Sequence, residues 1–355
     1  MTSPVGFAAI RSRPGEMPEG AIPGNPAFSE NNALQYIIAN VDKDLIHIAE
    51  ANRRGADLAA TVEGFAGDGA YMNELDDTDL FKNIVARSEK IIHDKISEAA
   101  RNLKMLIAAN YYTTVDNLIY NTAVLYGRGG EVIGRYLKVH LPAGEARLVA
   151  AGTEFPVFDT DIGRIGFATC YDIIISEQFR ILAVNGADII VHQSMAWGPD
   201  GRGVPVIGDA YMRTRANENS VYLVVANNIT KYGGRSCIVD PDGNFIAEAG
   251  GMDEGFAYAK VIPDYDRRDP YFYDNYFSDV PSTRARQLLV RRPELYGALT
   301  SDNTYSHRRD GMYKLPSPER ETEIFREHAA MDRETQRKYF WGIPHESAAN
   351  REGDK

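Results

Sequence analysis

The sequence predicts an α/β domain built on a mixed β-sheet. Short apolar runs alternate along the chain with longer stretches in which apolar residues recur at helical spacing. Two further pairs of apolar runs are separated by Gly- or Pro-containing turns, at 127–130 and 241–243, a pattern typical of β-hairpins. Helical crossovers connect parallel strands and hairpins connect antiparallel strands, so both kinds of pairing are expected in a layered domain.

The predicted elements follow this alternation in chain order. Strands are expected at 5–10, 57–62, 104–112, 120–126, 131–138, 163–169, 188–193, 221–227, 236–240 and 244–248. Helices are expected at 31–54, 77–103, 177–185 and 210–219. The first helix has apolar residues three, four and seven positions after Leu34, and Gly55 is its stop signal.

Composition and charge exclude several classes of protein. The 355 residues are 44% hydrophobic and 25% charged, which is typical of a folded globular protein. A net charge of −11 disfavours nucleic acid and anionic lipid as partners. We find no secretory signal and no apolar run of about 18 residues, so no membrane span is expected.

A change in composition near the C-terminus predicts the domain boundary. Residues 301–355 are dense in Arg, Glu and Asp and have few apolar positions. We therefore predict one domain over residues 1–300 and a C-terminal extension over 301–355 that packs on a partner subunit.

Cysteine and histidine usage favours a metal-free protein in a reducing compartment. Cys170 and Cys237 are the only cysteines, too few for a disulfide framework in so long a chain. The seven histidines form no His-x-x-x-His pair. We predict a cytoplasmic protein with no metal and no cofactor.

Three residues with complementary chemistry end three of the predicted strands. Cys170 follows the strand 163–169, Glu63 follows 57–62, and Lys138 closes 131–138. Taken singly, each has an ordinary explanation: a structural thiol, a carboxylate that starts a loop, and a solvated ammonium. A reactive cysteine needs a base or a cation beside it. The three together therefore indicate a thiol nucleophile with a carboxylate and an ammonium as partners.

These stretches resemble the nitrilase superfamily of carbon–nitrogen hydrolases. The three catalytic stretches are EGFAG at 63–67, YLKVHLP at 136–142 and GFATCYD at 166–172. Further similarity lies in NGADII at 185–190, RANEN at 215–219 and SCIVDPDG at 236–243. The resemblance covers roughly residues 5–260 and implies a four-layer αββα sandwich with mixed central sheets.

The resemblance also implies a role for each residue. Cys170 would attack the substrate carbon, and Glu63 would accept the thiol proton and later activate water. Lys138 and the backbone N–H of Tyr171 would stabilise the tetrahedral oxyanion. Glu145, just past the lysine, would position it or help in proton transfer. Homodimers or larger homo-oligomers are implied as well.

The residues after the nucleophile narrow the reaction. Family members that hydrolyse nitriles tend to carry Trp-Glu after the cysteine, whereas this chain has Tyr171 and Asp172, as in amidases and N-carbamoyl hydrolases. We predict hydrolysis of a small-molecule amide or ureido bond through a thioester, with release of ammonia. A nitrilase remains the first alternative, and a catalytically silent binding protein on the same fold is the second.

The substrate pocket is predicted from fewer signals. Relatives that act on ω-amides of dicarboxylic acids often carry Arg where this chain has Ile174, so a neutral or apolar substrate is expected. Trp197, Phe65 and Tyr112 are the other candidate wall residues. Another arginine could still supply the anion clamp while Ile174 only packs.

Overall fold

The computed structural model describes residues 3–73, 78–142, 145–146, 148–195, 206–229, 235–250, 253–265 and 282–300. The chain divides into two compact units. The first comprises residues 1–141 and 148–293, and the second comprises residues 142–147 and 294–355. The predicted extension at 301–355 lies outside the described residues, so its packing on a partner subunit stays a prediction.

The first unit contains two six-stranded sheets. Sheet A has the order β12-β1-β2-β3-β4-β5, and sheet B has the order β11-β10-β9-β8-β7-β6. The strands are β1 Val5–Arg11, β2 Leu58–Ala60, β3 Leu106–Val115, β4 Leu118–Tyr126, β5 Val132–Leu137, β6 Val157–Thr160, β7 Gly163–Thr169, β8 Ile189–Ser194, β9 Tyr222–Asn227, β10 Ser236–Val239, β11 Phe245–Ala249 and β12 Gly255–Val261.

Both sheets are mixed, as the sequence predicts. In sheet A, β1, β2 and β3 run parallel, and β12, β4 and β5 pair antiparallel with their neighbours. In sheet B, β7, β8 and β9 run parallel and the outer strands pair antiparallel. The centre of each sheet is therefore made by strands that helical crossovers connect.

Helices cover the outer face of each sheet. The helices are α1 Glu30–Arg53, α2 Thr78–Leu103, α3 Ser176–Val184, α4 Val206–Asn219 and α5 Thr283–Leu289. The first two contact sheet A, and α3 and α4 contact sheet B. The Ser29 hydroxyl caps α1 by accepting the Asn32 N–H. Helix, sheet, sheet and helix are stacked in that order, which confirms the predicted αββα sandwich.

The alternation of side chains along the strands fills two apolar clusters. Phe167 of β7 belongs to the larger cluster, which contains residues of both sheets and of α1 and α2, and its neighbour Ala168 belongs to the cluster beneath α3 and α4. Phe7 of β1 meets Tyr222 of β9 across the inter-sheet layer, with ring centroids 5.6 Å apart. None of the helices within the described ranges combines the length and apolar character of a membrane span.

The sequence did not predict two of the edge strands. β6 has only four residues and none of them is buried, so its pattern is too weak to distinguish from a loop. β12 is mostly half-buried, and it pairs with β1 from the other end of the unit. Strand propensity depends on neighbours of this kind, which local sequence does not specify.

Gln193 of β8 connects the two sheets through hydrogen bonds. Its Nε2 donates to the carbonyl oxygens of Thr61 and Ala108, both at 3.1 Å. Gln193 is fully buried. The side chain therefore satisfies backbone acceptors of sheet A from within sheet B.

We predict that Gln193→Leu lowers the free energy of unfolding by about 1–3 kcal/mol, because two buried carbonyls lose a donor. Urea denaturation measures the change. Gln35→Leu, on the exposed face of α1, is the matched control and is expected to stay within about 0.5 kcal/mol of the wild type. Equal effects of the two substitutions would contradict the bridging role.

Candidate active site

Glu63 and Lys138 form a buried ion pair in the first unit. Glu63 follows β2 and Lys138 follows β5 in the same sheet. The Lys138 Nζ lies 2.9 Å from Glu63 Oε1, and the two side chains are only 1% and 5% exposed. Charges at this depth are costly unless they are paired and hydrogen-bonded. The structure thus brings together two of the three predicted residues.

Two more donors complete the surroundings of the Glu63 carboxylate. Asn121 Nδ2 donates to Oε1 at 2.9 Å, and the backbone N–H of Met195 donates to Oε2 at 2.9 Å. Asn121 belongs to β4 of sheet A, whereas Met195 directly follows β8 of sheet B. Glu63 is therefore held from both sheets, and all three of these contacts are donors.

Cys170 lies at the corresponding end of sheet B. It is the first residue of a 3₁₀ turn, Cys170–Ile174, that directly follows β7. Thr169 pairs with Gln193 in the parallel ladder, so the next residue of β7 comes beside the end of β8. Met195, whose N–H binds the glutamate, leaves that same strand end. Neighbouring strands lie about 4.8 Å apart, and the topology thus brings the thiol segment to the carboxylate.

The backbone of Cys170 is strained. Its φ is +49°, in the left-handed region that non-glycine residues rarely adopt. Such a conformation costs about 1–3 kcal/mol and persists only when the surroundings enforce it. The residue is partly exposed. A strained, partly exposed cysteine at a strand end is typical of a nucleophile and unusual for a packing residue.

Asp172 enforces this turn and ties it to the lysine segment. It is fully buried, and its Oδ2 accepts the Thr169 N–H and the Tyr136 hydroxyl, both at 2.7 Å. Its Oδ1 accepts the backbone N–H of His140 at 3.1 Å. Tyr136 and His140 lie two residues before and two residues after Lys138. One carboxylate therefore fixes both the residue before Cys170 and the segment that carries the ammonium.

Two histidines flank this arrangement in different protonation environments. His140 Nδ1 lies 2.8 Å from Asp172 Oδ1, and this hydrogen bond raises the pKa of His140. His192 is buried, and desolvation lowers its pKa to about 4 despite the nearby carboxylates of Asp172 and Glu63. Its Nδ1–H donates to the Ala168 carbonyl at 3.2 Å. His192 is thus neutral, and its Nδ1–H is satisfied by a backbone carbonyl.

Arg215 of α4 supports the turn from its other side. Its Nε and one terminal nitrogen donate to the carbonyls of Ile173 and Ile174, each at 3.2 Å. Its other terminal nitrogen pairs with Glu218 at 3.0 Å. Arg215 and Asp172 lie in stretches that resemble the family, but those stretches alone do not indicate their contacts with the turn. The only sequence feature that distinguishes Asn121 is that it is a polar residue within an apolar strand.

The four predicted pocket residues lie in different surroundings. Ile174 is 37% exposed at the end of the turn. Phe65 and Tyr112 are buried in the larger apolar cluster, and the Tyr112 ring packs edge-on against Phe81 of α2 at 5.3 Å. Trp197 lies outside the described residues. The pocket roles of these four residues stay predictions.

Glu145 and Tyr171 complete the predicted set. Glu145 belongs to the second unit, where its N–H donates to the Pro142 carbonyl at 2.9 Å; its role beside the lysine stays a prediction. Tyr171 is the second residue of the 3₁₀ turn. The first N–H groups of a helical turn have no partner within the turn, which suits the predicted oxyanion donor.

Comparison with known proteins gives a family and a fold. The family model of carbon–nitrogen hydrolases matches residues 36–269, more than half of the chain. A probable nitrilase of Schizosaccharomyces pombe is 32% identical over 190 residues, which cover 52% of this chain and 64% of that protein. A deaminated glutathione amidase of Synechocystis sp. is 30% identical over 242 residues, 62% of this chain and 85% of that one.

A solved structure supports the same architecture. A mutant of the amidase from Nesterenkonia sp. AN1, with acrylamide added at its active-site cysteine, superposes with a TM-score of 0.58 at 20% identity. The match covers 77% of this chain and 99% of that one. This likeness concerns the fold. The matched segment spans just under two thirds of the S. pombe relative. Because the family model matches more than half of the chain, the chain belongs to the carbon–nitrogen hydrolase family, which is part of the nitrilase superfamily.

Proposed function

We propose that this protein hydrolyses the C–N bond of a small amide or N-carbamoyl compound and releases ammonia. The observation that carries the proposal is the buried Glu63–Lys138 pair at the strand end that adjoins Cys170. The pair supplies a base and a cation to Cys170, which is partly exposed. Family membership and the amidase relatives support the same reaction class.

The proposed first half-reaction forms a thioester. Glu63 accepts the thiol proton as the Cys170 sulfur attacks the carbonyl carbon, and the C=O π pair moves to oxygen. Lys138 and the Tyr171 N–H donate to this oxyanion. When the carbonyl re-forms, the C–N bond breaks, Glu63 returns its proton to the leaving nitrogen, and ammonia departs.

The second half-reaction regenerates the enzyme. Water attacks the thioester carbon while Glu63 accepts one of its protons, and the same donors stabilise the second oxyanion. The C–S bond then breaks, the thiolate recovers the proton from Glu63, and the acid leaves: a carboxylic acid from an amide, or a carbamic acid from an N-carbamoyl substrate. A thiol with an ordinary pKa near 8.5 is mostly protonated at neutral pH, so the first half-reaction needs the adjacent carboxylate to accept the thiol proton. The second half-reaction needs the same carboxylate to accept a proton from water.

A nitrile substrate is the second candidate. The S. pombe relative is named a probable nitrilase, and a nitrile carbon is attacked by the same thiol. The residues after the nucleophile favour the amide, because Tyr171 and Asp172 replace the Trp-Glu pair of nitrile-hydrolysing relatives. A cytoplasmic location and a homo-oligomeric state also remain our proposals. The first agrees with two free thiols.

We expect the amide and carbamoyl forms of one aromatic scaffold to release ammonia, and the nitrile form to release little. Cys170→Ala should abolish turnover, because the thioester cannot form, whereas Cys237→Ala should retain it. Coupled ammonia detection measures all three substrates. Turnover of the nitrile alone would overturn the amide assignment, and turnover of none would favour a silent binding protein.

Thiol alkylation offers a separate test of the nucleophile. Iodoacetamide at neutral pH should label Cys170 at least about tenfold faster than Cys237, since a base and a cation favour its thiolate. Cys237 is fully buried, and burial raises the pKa of its thiol. Peptide mass spectrometry resolves the two sites. Equal, slow labelling of both cysteines would argue against an activated Cys170.

The residue at 174 should decide between neutral and acidic substrates. Ile174→Arg is expected to raise kcat/KM for an ω-amide of a dicarboxylic acid by about tenfold, because a guanidinium pairs the free carboxylate. Ile181→Arg, at a comparably exposed position of α3, is the matched control and should give no gain. An unchanged preference in the Ile174 variant would remove that residue from the pocket.

A further inference from the structure

A chain of two buried amides connects a backbone N–H to the Glu63 carboxylate. The Gly64 N–H donates to Asn110 Oδ1 at 2.8 Å, and Asn110 Nδ2 donates to Asn121 Oδ1 at 2.9 Å. Asn121 Nδ2 then donates to Glu63 Oε1 at 2.9 Å. Both asparagines are fully buried, on the neighbouring strands β3 and β4. We call Asn110 and Asn121 the amide relay.

The relay has one allowed direction. A backbone N–H can only donate, so the end of the Asn110 amide that faces Gly64 must be the oxygen. The amino group of Asn110 then faces Asn121 and fixes the Asn121 amide with its oxygen toward Asn110. The amino group of Asn121 is thereby directed at Glu63. If Asn121 were turned over, two amino groups would face each other and two oxygens would face each other.

This direction makes the two oxygens of Glu63 unequal. A carboxylate oxygen has two lone-pair positions, and Oε1 accepts from both Asn121 and Lys138. Among the described residues, Oε2 accepts only the Met195 N–H. Met195 leaves the strand end beside the nucleophile. The oxygen with room for a proton is therefore the one held at the thiol side.

We propose that Asn110 and Asn121 are positioning residues that keep Glu63 Oε1 saturated with donors, so that the Cys170 proton goes to Oε2. The inference rests on the proposed function, since it assigns a route to that proton. When Lys138 turns toward an oxyanion, the Asn121 donor stays on Oε1 and the carboxylate keeps its orientation. A relay that starts at the backbone cannot rotate away as a free side chain can.

Other charged groups also face this carboxylate and must be held constant in any test. Lys138 contacts it directly, and the charges of Glu63, Lys138 and Asp172 all act on His192. His192 is neutral near pH 7, and Asp172 is engaged with Tyr136 and Thr169. Substitution within the amide relay leaves each of these groups in place.

Reversing the relay at its second member should move the pH profile. In Asn121→Asp, a carboxylate replaces the donor 2.9 Å from Glu63 Oε1, and two such groups share one proton at neutral pH. We expect the acidic limb of kcat/KM to shift upward by at least about one pH unit. The pH dependence of Cys170 alkylation should shift with it. Asn121→Leu, which only removes the donor, should lower kcat about tenfold and change KM little.

Reversing the first member tests the relay without touching Glu63. In Asn110→Asp, the carboxylate still accepts the Gly64 N–H but offers nothing to donate. Asn121 must then turn its amino group toward residue 110 and its oxygen toward Glu63. The acidic limb should move in the same direction as in Asn121→Asp. A purely structural role would lower stability and leave the pH profile unchanged.

The control is Asn52→Asp, a comparable charge change at the end of α1, where Nδ2 donates to the Leu103 carbonyl at 3.0 Å. It should keep the wild-type pH profile. Thermal unfolding identifies any variant that fails to fold, and the Asn121→Leu variant, which introduces no charge, then carries the test. If wild-type activity depends on Glu63 but both aspartate variants keep the wild-type acidic limb, the relay is refuted and the hydrolase stands. If Glu63→Gln changes neither turnover nor Cys170 alkylation, the proposed function itself fails.

Discussion

The structure depends on one electrostatic constraint: a carboxylate and an ammonium buried together, where neither is stable alone. Glu63 and Lys138 are almost inaccessible to water. Loss of one partner of such a pair typically costs about 3–5 kcal/mol. The fold meets this constraint with donors from both sheets, so the site and the inter-sheet packing cannot be separated. Each polar group that satisfies the pair also fixes its geometry.

The strained backbone of Cys170 is the second constraint on the site. A positive φ at a cysteine persists because the surrounding network opposes its relaxation. Asp172 holds the residue before Cys170, and Arg215 holds the carbonyls at the end of the turn. Asp172 also accepts Tyr136 of β5, so the sheet that carries the ammonium restrains the turn that carries the thiol. The geometry of the candidate site thus depends on both sheets.

Much of the fold could be predicted because its signals are local. The strand–helix alternation, the stop at Gly55 and the hairpin over 241–243 all follow from residue pattern and turn chemistry. The predicted helix at 31–54 is observed at Glu30–Arg53. The edge strands β6 and β12 lacked such a pattern, since pairing with β7 and β1 is what orders them.

The sequence alone determined which residue types stand at the three strand ends, because a thiol, a carboxylate and an ammonium in family-like stretches carry a chemical signature. It could not determine what surrounds them. Only the tertiary structure decided that the Asn121 side chain and the Met195 N–H donate hydrogen bonds to the Glu63 carboxylate. It also decided that Asp172 joins the two sheets. The physical reason is distance along the chain: Asn121 and Glu63 are 58 residues apart. A hydrogen bond between such residues exists only after the strands that carry them have paired and packed.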